Sequence, residues 1–161
     1  MIVNLVILAF VTLERLSELL LSGRNTRRLL ELGAREHGKG HYGFIIAVHA
    51  LWLASLWWLA PSGPVDLFWL ALFVLLELAR LWVLVTLGSR WTTQIIVLPD
   101  SPLVEGGPYR FIDHPNYWVV AGEIAVLPLV FGLWKIALLF SLLNGAILAV
   151  RVREENRALG R

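Results

Sequence analysis

The sequence contains no cysteine. This absence excludes disulfides, thiolate-ligated metal sites and a cysteine nucleophile. Charged residues are also scarce: they make up 16% of the 161 residues, whereas soluble domains carry about 25%. Hydrophobic residues reach 58%, the mean hydropathy is +0.71, and the apolar residues occur in long runs. A chain of this length forms one domain, and this composition predicts that the bilayer supplies most of its apolar surroundings.

The sequence signatures of several enzyme classes are missing as well. It has no glycine-rich nucleotide fingerprint and no Gly-x-Ser-x-Gly motif. The histidines do not show metal-chelating spacing, because His41 and His49 are eight residues apart and no third ligand is recognisable. We therefore expect no metal site, and no nucleic acid as a partner. The histidines are His37, His41, His49 and His114.

Five apolar stretches are long enough, or nearly so, to cross a hydrocarbon core of about 30 Å. They cover about 1–21, 42–60, 65–87, 117–131 and 133–150. The first has no basic N-terminal region and no small-residue cleavage site, so we interpret it as a span rather than a signal peptide. Pro128 and Gly132 break the last two, which predicts a tight hairpin or a strongly tilted pair. The sequence predicts an all-α, polytopic integral membrane protein of about five transmembrane helices, with 1–161 as a single domain.

Basic residues are concentrated in the polar segments between and after these stretches. Eleven of the fourteen Lys and Arg residues lie in the connection 22–40, the irregular segment 88–116 and the charged tail 151–161. By the positive-inside rule these segments face the cytoplasm. With five spans in a cell membrane, we expect the N-terminus outside and the C-terminus inside.

Six of the ionisable residues inside the predicted spans are candidates for a site, because charges there are costly and usually face a protein interior. They either neutralise one another near the cytoplasmic interface or line a functional site. Glu123 has no neighbouring cation in the sequence and follows the polar segment by two turns, so we expect it to line a site. The six residues are Glu14, Arg15, Glu18, Glu77, Arg80 and Glu123.

The segment Gln94–Tyr117 is the densest in proline, aromatic and hydrogen-bonding residues. It follows Trp91 and lies directly before the fourth predicted span, a position suited to a binding site at the membrane surface. In the tail, Arg151 and Glu155 are four residues apart and share a helix face. The tail is either part of that site or a solvated amphipathic extension.

The same segment and tail resemble the isoprenylcysteine carboxyl methyltransferase family. The hallmark of that family is Gly-x-Tyr, then Arg-His-Pro-x-Tyr, then a final Arg/Glu cluster. The matching residues are Gly107-Pro-Tyr-Arg-Phe-Ile-Asp-His-Pro-Asn-Tyr117 and the Arg151/Glu155 pair. The chain is similar in particular to the small bacterial branch that is associated with type III polyketide synthases. The motifs that carry this closer resemblance are Glu14-Arg-Leu-Ser-Glu-Leu, Ser22-Gly-Arg-Asn25, Gly33-Ala-Arg-Glu-His-Gly38, His41-Tyr42, Trp91-Thr, Leu98-Pro99 and Leu127-Pro128.

The resemblance implies that S-adenosylmethionine binds in a cytoplasmic pocket formed by the last two spans, the preceding polar segment and the tail. Arg151 would lie beside the acceptor, and Glu123 is the second predicted catalytic residue. Asp113 stands where the family commonly has arginine, which removes a cation next to the cofactor. The implied cofactor-binding positions are Gln94, Ser101, Pro102, Leu103, Val104, Tyr109, His114, Pro115, Asn116, Tyr117 and Glu155.

The bacterial branch implies O-methylation of a lipophilic acceptor, such as an alkylpyrone or an alkylresorcinol, that enters from the bilayer. The acidic enol oxygen of a hydroxypyrone is already anionic at about neutral pH, so alignment by a cation such as Arg151 replaces a strong base. Three alternatives stand beside this function. They are carboxyl methylation of an isoprenylcysteine, N-methylation of a phospholipid amine, and a non-catalytic small membrane transporter or binding protein.

Overall fold

The computed structural model describes residues 1–160 as a bundle of five α-helices. Within that part of the chain, the single sheet is a short antiparallel ribbon of two strands. The prediction of an all-α membrane protein is confirmed. The helices are α1 (Ile2–Glu31), α2 (Lys39–Leu59), α3 (Leu67–Leu87), α4 (Pro115–Val130) and α5 (Trp134–Ala158), and the strands are β1 (Arg35–His37) and β2 (Ile95–Val97).

The outside of the bundle is covered by large apolar side chains. Trp58 is 86% exposed and Leu20 is 73% exposed. A contiguous apolar surface of this kind is suited to lipid rather than to water. By length and composition, α2, α3 and α5 are able to cross a membrane. The helix α1 is longer but carries charges at its centre, and α4 has 16 residues.

The apolar core occupies the end of the bundle that holds the α2–α3 turn. Leu8, Leu56, Phe73 and Leu127 belong to it and are almost completely buried. The side-chain amide of Asn4 donates hydrogen bonds to the backbone carbonyls of the turn residues 60 and 63, over 2.6 and 2.9 Å, and so fixes this turn to α1. Cavities that can hold a ligand therefore lie towards the opposite end, which we call the loop end because it holds the long α3–α4 loop.

Two helices extend past the spans predicted from hydropathy. The predicted connection 22–40 is helical as far as Glu31, and the predicted tail is helical as far as Ala158. On the extension of α1, Ser22, Asn25 and Thr26 are buried. Their polarity marks contact with the α3–α4 loop, not the end of the helix. The helices therefore continue beyond the predicted membrane spans at these two places.

The ribbon of β1 and β2 joins the α1–α2 connection to the α3–α4 loop, with Glu36 paired opposite Ile96. The loop also contains two 3₁₀ turns, 88–90 and 107–110. Gly107 has a φ of +56°, and a Cβ at this position would overlap the Thr86 side chain of α3. Glycine is therefore required for the close approach of the loop to α3.

The last two helices form a tight hairpin, which is the first of the two forms predicted for them. α4 ends at Val130 and α5 begins at Trp134. Gly132 lies in the turn with a φ of +72°, a conformation that favours glycine. This hairpin brings the start of α4 and the end of α5 together at the loop end.

Candidate functional site

A polar cavity of about 210 Å³ lies at the loop end of the bundle. Its walls come from the α3–α4 loop, the first turn of α4 and the C-terminal part of α5. Arg151 and Asp113 line it, together with all the predicted cofactor-binding residues except Pro115, which instead begins α4 and is buried. These lining residues are Gln94, Ser101, Pro102, Leu103, Val104, Tyr109, His114, Asn116, Tyr117 and Glu155.

Arg151, Tyr117 and Glu155 form a connected group across the α4–α5 hairpin. Nε of Arg151 donates to the Tyr117 hydroxyl over 2.7 Å, and this hydroxyl donates in turn to the Glu155 carboxylate. The Arg151 guanidinium also lies over the Tyr117 ring, 5.2 Å from its centroid. Arg151 is 6% exposed, so its charge acts in a medium of low dielectric constant.

His114 supports the same group from the start of α4. Its ring stacks on Tyr117 with the centroids 5.4 Å apart, and its Nδ1 is 3.7 Å from Oε2 of Glu155. Nε2 contacts Oδ1 of Asn156 at 3.0 Å. These contacts orient Tyr117 and Glu155. Among residues 1–160, no three His, Asp or Glu side chains come together in an arrangement suited to a metal ion.

The outer wall of the polar cavity is held in place by Arg90, a residue that the sequence analysis did not single out. Its guanidinium donates to the backbone carbonyl of Pro102 and to Oγ of Ser101, both over 2.6 Å. The three prolines in 99–108 have no backbone N–H, and Arg90 supplies donors to this part of the loop from outside it.

The amide of Gln94 is occupied by contacts within the protein. Its Nε2 donates to Glu36 over 2.8 Å, and its Oε1 accepts from the Thr26 hydroxyl over 3.2 Å. Gln94 therefore connects α1, the ribbon and the cavity wall. Its side chain positions the wall, and the wall is what a ligand would contact.

Tyr109 lines the polar cavity from the 3₁₀ turn that follows Gly106. Burial raises the pKa of Tyr109, and the nearby Glu155 carboxylate raises it further. The hydroxyl therefore keeps its proton at neutral pH and remains a hydrogen-bond donor.

A second, largely apolar cavity of about 290 Å³ lies deeper in the bundle, between α1, α2, α4 and α5. Leu16 and Leu19 of α1 and Ile46 of α2 line it. These three side chains are 54%, 46% and 46% exposed, so the cavity has a mouth between α1 and α2 that faces the lipid side of the bundle.

The two cavities share a wall. Trp91, Asn116, Tyr117 and Arg151 line both of them. Nε1 of Trp91 and Oδ1 of Asn116 are buried and have no hydrogen-bond partner within residues 1–160. Buried polar groups are normally paired, so a donor and an acceptor at this wall are suited to a ligand.

Thr93 connects three helices at this wall, and nothing in the sequence pattern indicated it. Its hydroxyl lies 2.8 Å from the hydroxyls of Ser22 on α1 and Tyr42 on α2. Its backbone carbonyl accepts from Arg151 of α5 over 2.5 Å. The depth of the loop in the bundle is therefore fixed from three sides.

Glu123, the second predicted catalytic residue, lines neither cavity. It is 2% exposed and binds the guanidinium of Arg80, which contacts both of its oxygens, and that of Arg15, at 2.9 Å. Arg80 also donates to Glu18 over 2.9 Å. The expectation that Glu123 lines a site needs correction, because the cations it lacks in the nearby sequence come from α1 and α3. The six ionisable residues are paired with one another in this cluster, with four carboxylates around two guanidinium groups, and Arg15, Glu18 and Arg80 also line the second cavity.

Comparison with known proteins shows to which family the chain belongs. The model of the isoprenylcysteine carboxyl methyltransferase (ICMT) family matches residues 69–161, which include most of the polar cavity wall. The chain belongs to the isoprenylcysteine carboxyl methyltransferase family. Membership of this family supports a membrane methyltransferase.

The relatives of this ICMT-family chain include two bacterial proteins that align over most of both lengths. An uncharacterized protein of Bacillus subtilis (strain 168), YpbQ, is 34% identical, covering 95% of this chain and 94% of its own. An uncharacterized protein of Haemophilus influenzae is 25% identical, with 90% and 88% covered. No solved structure matches the chain.

Proposed function

We propose that this protein is an S-adenosylmethionine-dependent O-methyltransferase that acts on a hydroxylated lipid, such as an alkylpyrone or an alkylresorcinol. The observation that carries the proposal is the pair of cavities with a shared wall. One is polar and lies under the loop, and the other is apolar and has a mouth towards lipid. A charged donor and a greasy acceptor need two such compartments that meet at the reacting atoms.

The residues of the polar cavity fit the chemistry of the cofactor. When bound, S-adenosylmethionine supplies an electrophilic methyl group on a sulfonium. The Glu155 carboxylate can accept hydrogen bonds from ribose hydroxyls or from an ammonium group. Both of its contacts with Tyr117 and His114 use Oε2, so we expect Oε1 to take this role. The stacked rings of His114 and Tyr117 offer aromatic surface to a cation or to adenine.

Arg151 is suited to hold the acceptor oxygen, because it lies in the shared wall and is buried. The acidic hydroxyl of a hydroxypyrone would lose its proton to water before binding, whereas the hydroxyl of a resorcinol, which is neutral at about pH 7, would release its proton to water in the polar cavity as the methyl group is transferred. The acceptor oxygen would replace the sulfur on the methyl carbon, which would leave a methyl ether and a neutral thioether. Alignment and exclusion of water are the main contributions that the protein makes to such a displacement.

The proposed placement is the inner membrane, with the loop end at the cytoplasmic side. Support comes from the basic residues near that end, among them Arg24, Arg27 and Arg28 of α1 and Arg153 of α5. Five crossings then place the N-terminus outside. The acceptor enters sideways, through the mouth between α1 and α2.

Two measurements test the proposal. Calorimetric titration of the folded, detergent-purified protein with S-adenosylhomocysteine is expected to show binding at one site. Membranes supplied with radiolabelled S-adenosylmethionine are expected to label alkylpyrones and alkylresorcinols more than prenylcysteines. Absence of S-adenosylhomocysteine binding would instead favour a transporter or a binding protein, and label on prenylcysteine alone would assign carboxyl methylation.

Replacing Glu155 tests the polar cavity directly. In Glu155→Gln we expect affinity for S-adenosylhomocysteine to fall roughly tenfold, since a charge-assisted hydrogen bond is lost. The neighbouring Glu154→Gln is the matched control. Glu154 binds Arg157 at 2.8 Å and does not line the cavity, so its affinity should stay at the wild-type value. Equal losses in the two variants would remove Glu155 from the proposed role.

A further inference from the structure

The deep end of the apolar cavity is not apolar. His49 of α2 and Asn144 of α5 line it, beside Arg15 and Arg80 of the buried ion cluster. Below them the cavity is closed by Trp52, which lines it and belongs to the apolar core. A ligand that fills the cavity therefore meets polar groups at two levels. The first level is the shared wall, which includes Arg151, and the second is the deep end, which includes His49 and Asn144.

The distance between these levels follows from the helices. Thr93 contacts Ser22, Tyr42 and Arg151, which places these three residues at one depth. On α1, Arg15 lies seven residues before Ser22, and on α5, Asn144 lies seven residues before Arg151. On α2, which runs in the opposite direction, His49 lies seven residues after Tyr42. At 1.5 Å per residue, the second level is about 10 Å deeper on all three helices.

Asn144 is an unsatisfied polar group at this second level. It is 2% exposed and lines the cavity, and within residues 1–160 its side-chain amide has no hydrogen-bond partner. Because the residue lines the cavity, a ligand bound there can supply the hydrogen bonds that the described residues do not. The amide offers both donors and an acceptor.

His49 adds a hydrogen-bond acceptor, and the contacts of its ring show which nitrogen accepts. Its Nδ1 is 2.9 Å from the backbone carbonyl of Ile45. A carbonyl only accepts, so Nδ1 carries the proton and Nε2 of the neutral ring accepts. Nε2 of His49 and the amide of Asn144 together suit a hydroxyl, which both donates and accepts. A carbonyl or an ether oxygen would satisfy Asn144 alone.

The mouth of the cavity lies between the two levels. Leu16 and Leu19 are placed between Arg15 and Ser22 on α1, and Ile46 is placed between Tyr42 and His49 on α2. A molecule bound in the cavity therefore has Arg151 on one side, at the shared wall, and Asn144 and His49 on a second side, at the deep end. Its third side is open to lipid. A ring with substituents at alternate positions points its three groups in such directions.

We propose that Asn144 and His49 recognise a second hydroxyl of the acceptor, so that the preferred acceptor is a ring with two hydroxyls and an alkyl chain at alternate positions. One hydroxyl lies at Arg151 and the other lies at Asn144 and His49, which we call the deep pair. The alkyl chain of the acceptor leaves the cavity between α1 and α2. This assignment rests on the proposed function for the position of the first hydroxyl. It makes the deep pair the determinant of acceptor specificity.

The test compares two lipids that differ by one hydroxyl, 5-pentadecylresorcinol and 3-pentadecylphenol. Binding is measured in nanodiscs of one lipid composition, in the presence of S-adenosylhomocysteine, by fluorescence of the tryptophans, two of which (Trp52 and Trp91) line the cavity. The wild type is expected to bind the resorcinol about tenfold more tightly, as for a site whose buried polar groups lose their partner with the analogue.

The variants are Asn144→Leu, which has a similar volume without the amide, and Ser141→Ala on the same helix as the control. Ser141 lines neither cavity. The preference should disappear in Asn144→Leu and persist in Ser141→Ala. Comparing the ratio of the two affinities between proteins cancels the different partitioning of the two lipids into the bilayer.

The outcomes separate the two proposals. Equal affinity of the wild type for both lipids, a preference that survives in Asn144→Leu, or binding of neither lipid overturns the role of the deep pair. Each of these results leaves the calorimetric binding of S-adenosylhomocysteine untouched. Failure of S-adenosylhomocysteine to bind the wild type contradicts the proposed function, whereas the lipid affinities still report on Asn144.

Discussion

Arg151→Ala is expected to lower kcat/KM for the lipid acceptor at least about a hundredfold, because it removes the buried cation that holds the acceptor oxygen. The side chain lies in the wall shared by both cavities and is 6% exposed. Arg151 is linked to Glu155 through Tyr117 and Oε2, whereas the cofactor contact is assigned to Oε1, and Glu155 keeps its contacts with Tyr117 and His114 in the variant. Affinity for S-adenosylhomocysteine should therefore change by less than about threefold. The measurements are initial rates with radiolabelled donor, and calorimetry.

Arg151→Lys is the matched variant for this prediction. Lysine keeps the charge but has no Nε–H to donate to Tyr117 and no second nitrogen for the Thr93 carbonyl. Its activity should lie between the wild type and the alanine variant. Full activity of Arg151→Ala would exclude the proposed role. A loss of cofactor affinity equal to the loss of rate would show that Arg151 binds the methyl donor instead of the acceptor.

Glu123→Gln is expected to lower the free energy of unfolding by about 3 kcal/mol, because it removes the buried charge that contacts both guanidinium groups and leaves Arg80 with Glu18 as its remaining charged partner. Glu123 is 2% exposed and joins Arg80 of α3 and Arg15 of α1 to α4. Thermal unfolding in detergent, followed by circular dichroism, should show a clearly lower midpoint. The protein that remains folded should still bind S-adenosylhomocysteine, because Glu123 lines neither cavity.

Glu14→Gln is the control within the same cluster. The cluster contains four carboxylates, Glu14, Glu18, Glu77 and Glu123, but two guanidinium groups. Glu14 lies at its edge, 3.5 Å from Arg15, so removing its charge relieves repulsion as well as losing attraction. We expect a change within about 1 kcal/mol. A Glu123→Gln midpoint as high as that of Glu14→Gln would contradict the structural role.

Most residues of the polar site were implied by the resemblance to the family, whose motif covers one contiguous segment and the charged pair of the tail. The segment from Gly107 to Tyr117 and the Arg151/Glu155 pair need only the α4–α5 hairpin to bring them together, and that hairpin is marked by Gly132. The apolar cavity could not be predicted in this way. Its residues are spaced along five helices and the α3–α4 loop, and the hydrophobicity of its apolar side chains is the same whether they face lipid, core or an empty space.

Glu123 shows a second limit of sequence reasoning. A carboxylate inside an apolar run indicates a partner or a function, but not which of the two. The sequence separation of Glu123 from Arg80 and Arg15 is large, so only the arrangement of α1 and α3 decides the matter. Hydropathy likewise ended the first predicted span just before Ser22. In the structure, Ser22, Asn25 and Thr26 still belong to α1, and they contact the loop.

The shortness of α4 has a consequence for the depth of the reaction. Its 16 residues span about 24 Å, less than a hydrocarbon layer of about 30 Å. Under the proposed placement, with the far end of α4 at the opposite interface, the floor of the polar cavity therefore lies below the level of the headgroups. Under the proposed function, a water-soluble donor descends to the ring of a membrane-resident lipid. The lipid keeps its chain in the bilayer throughout, and none of the free energy of extracting it has to be supplied.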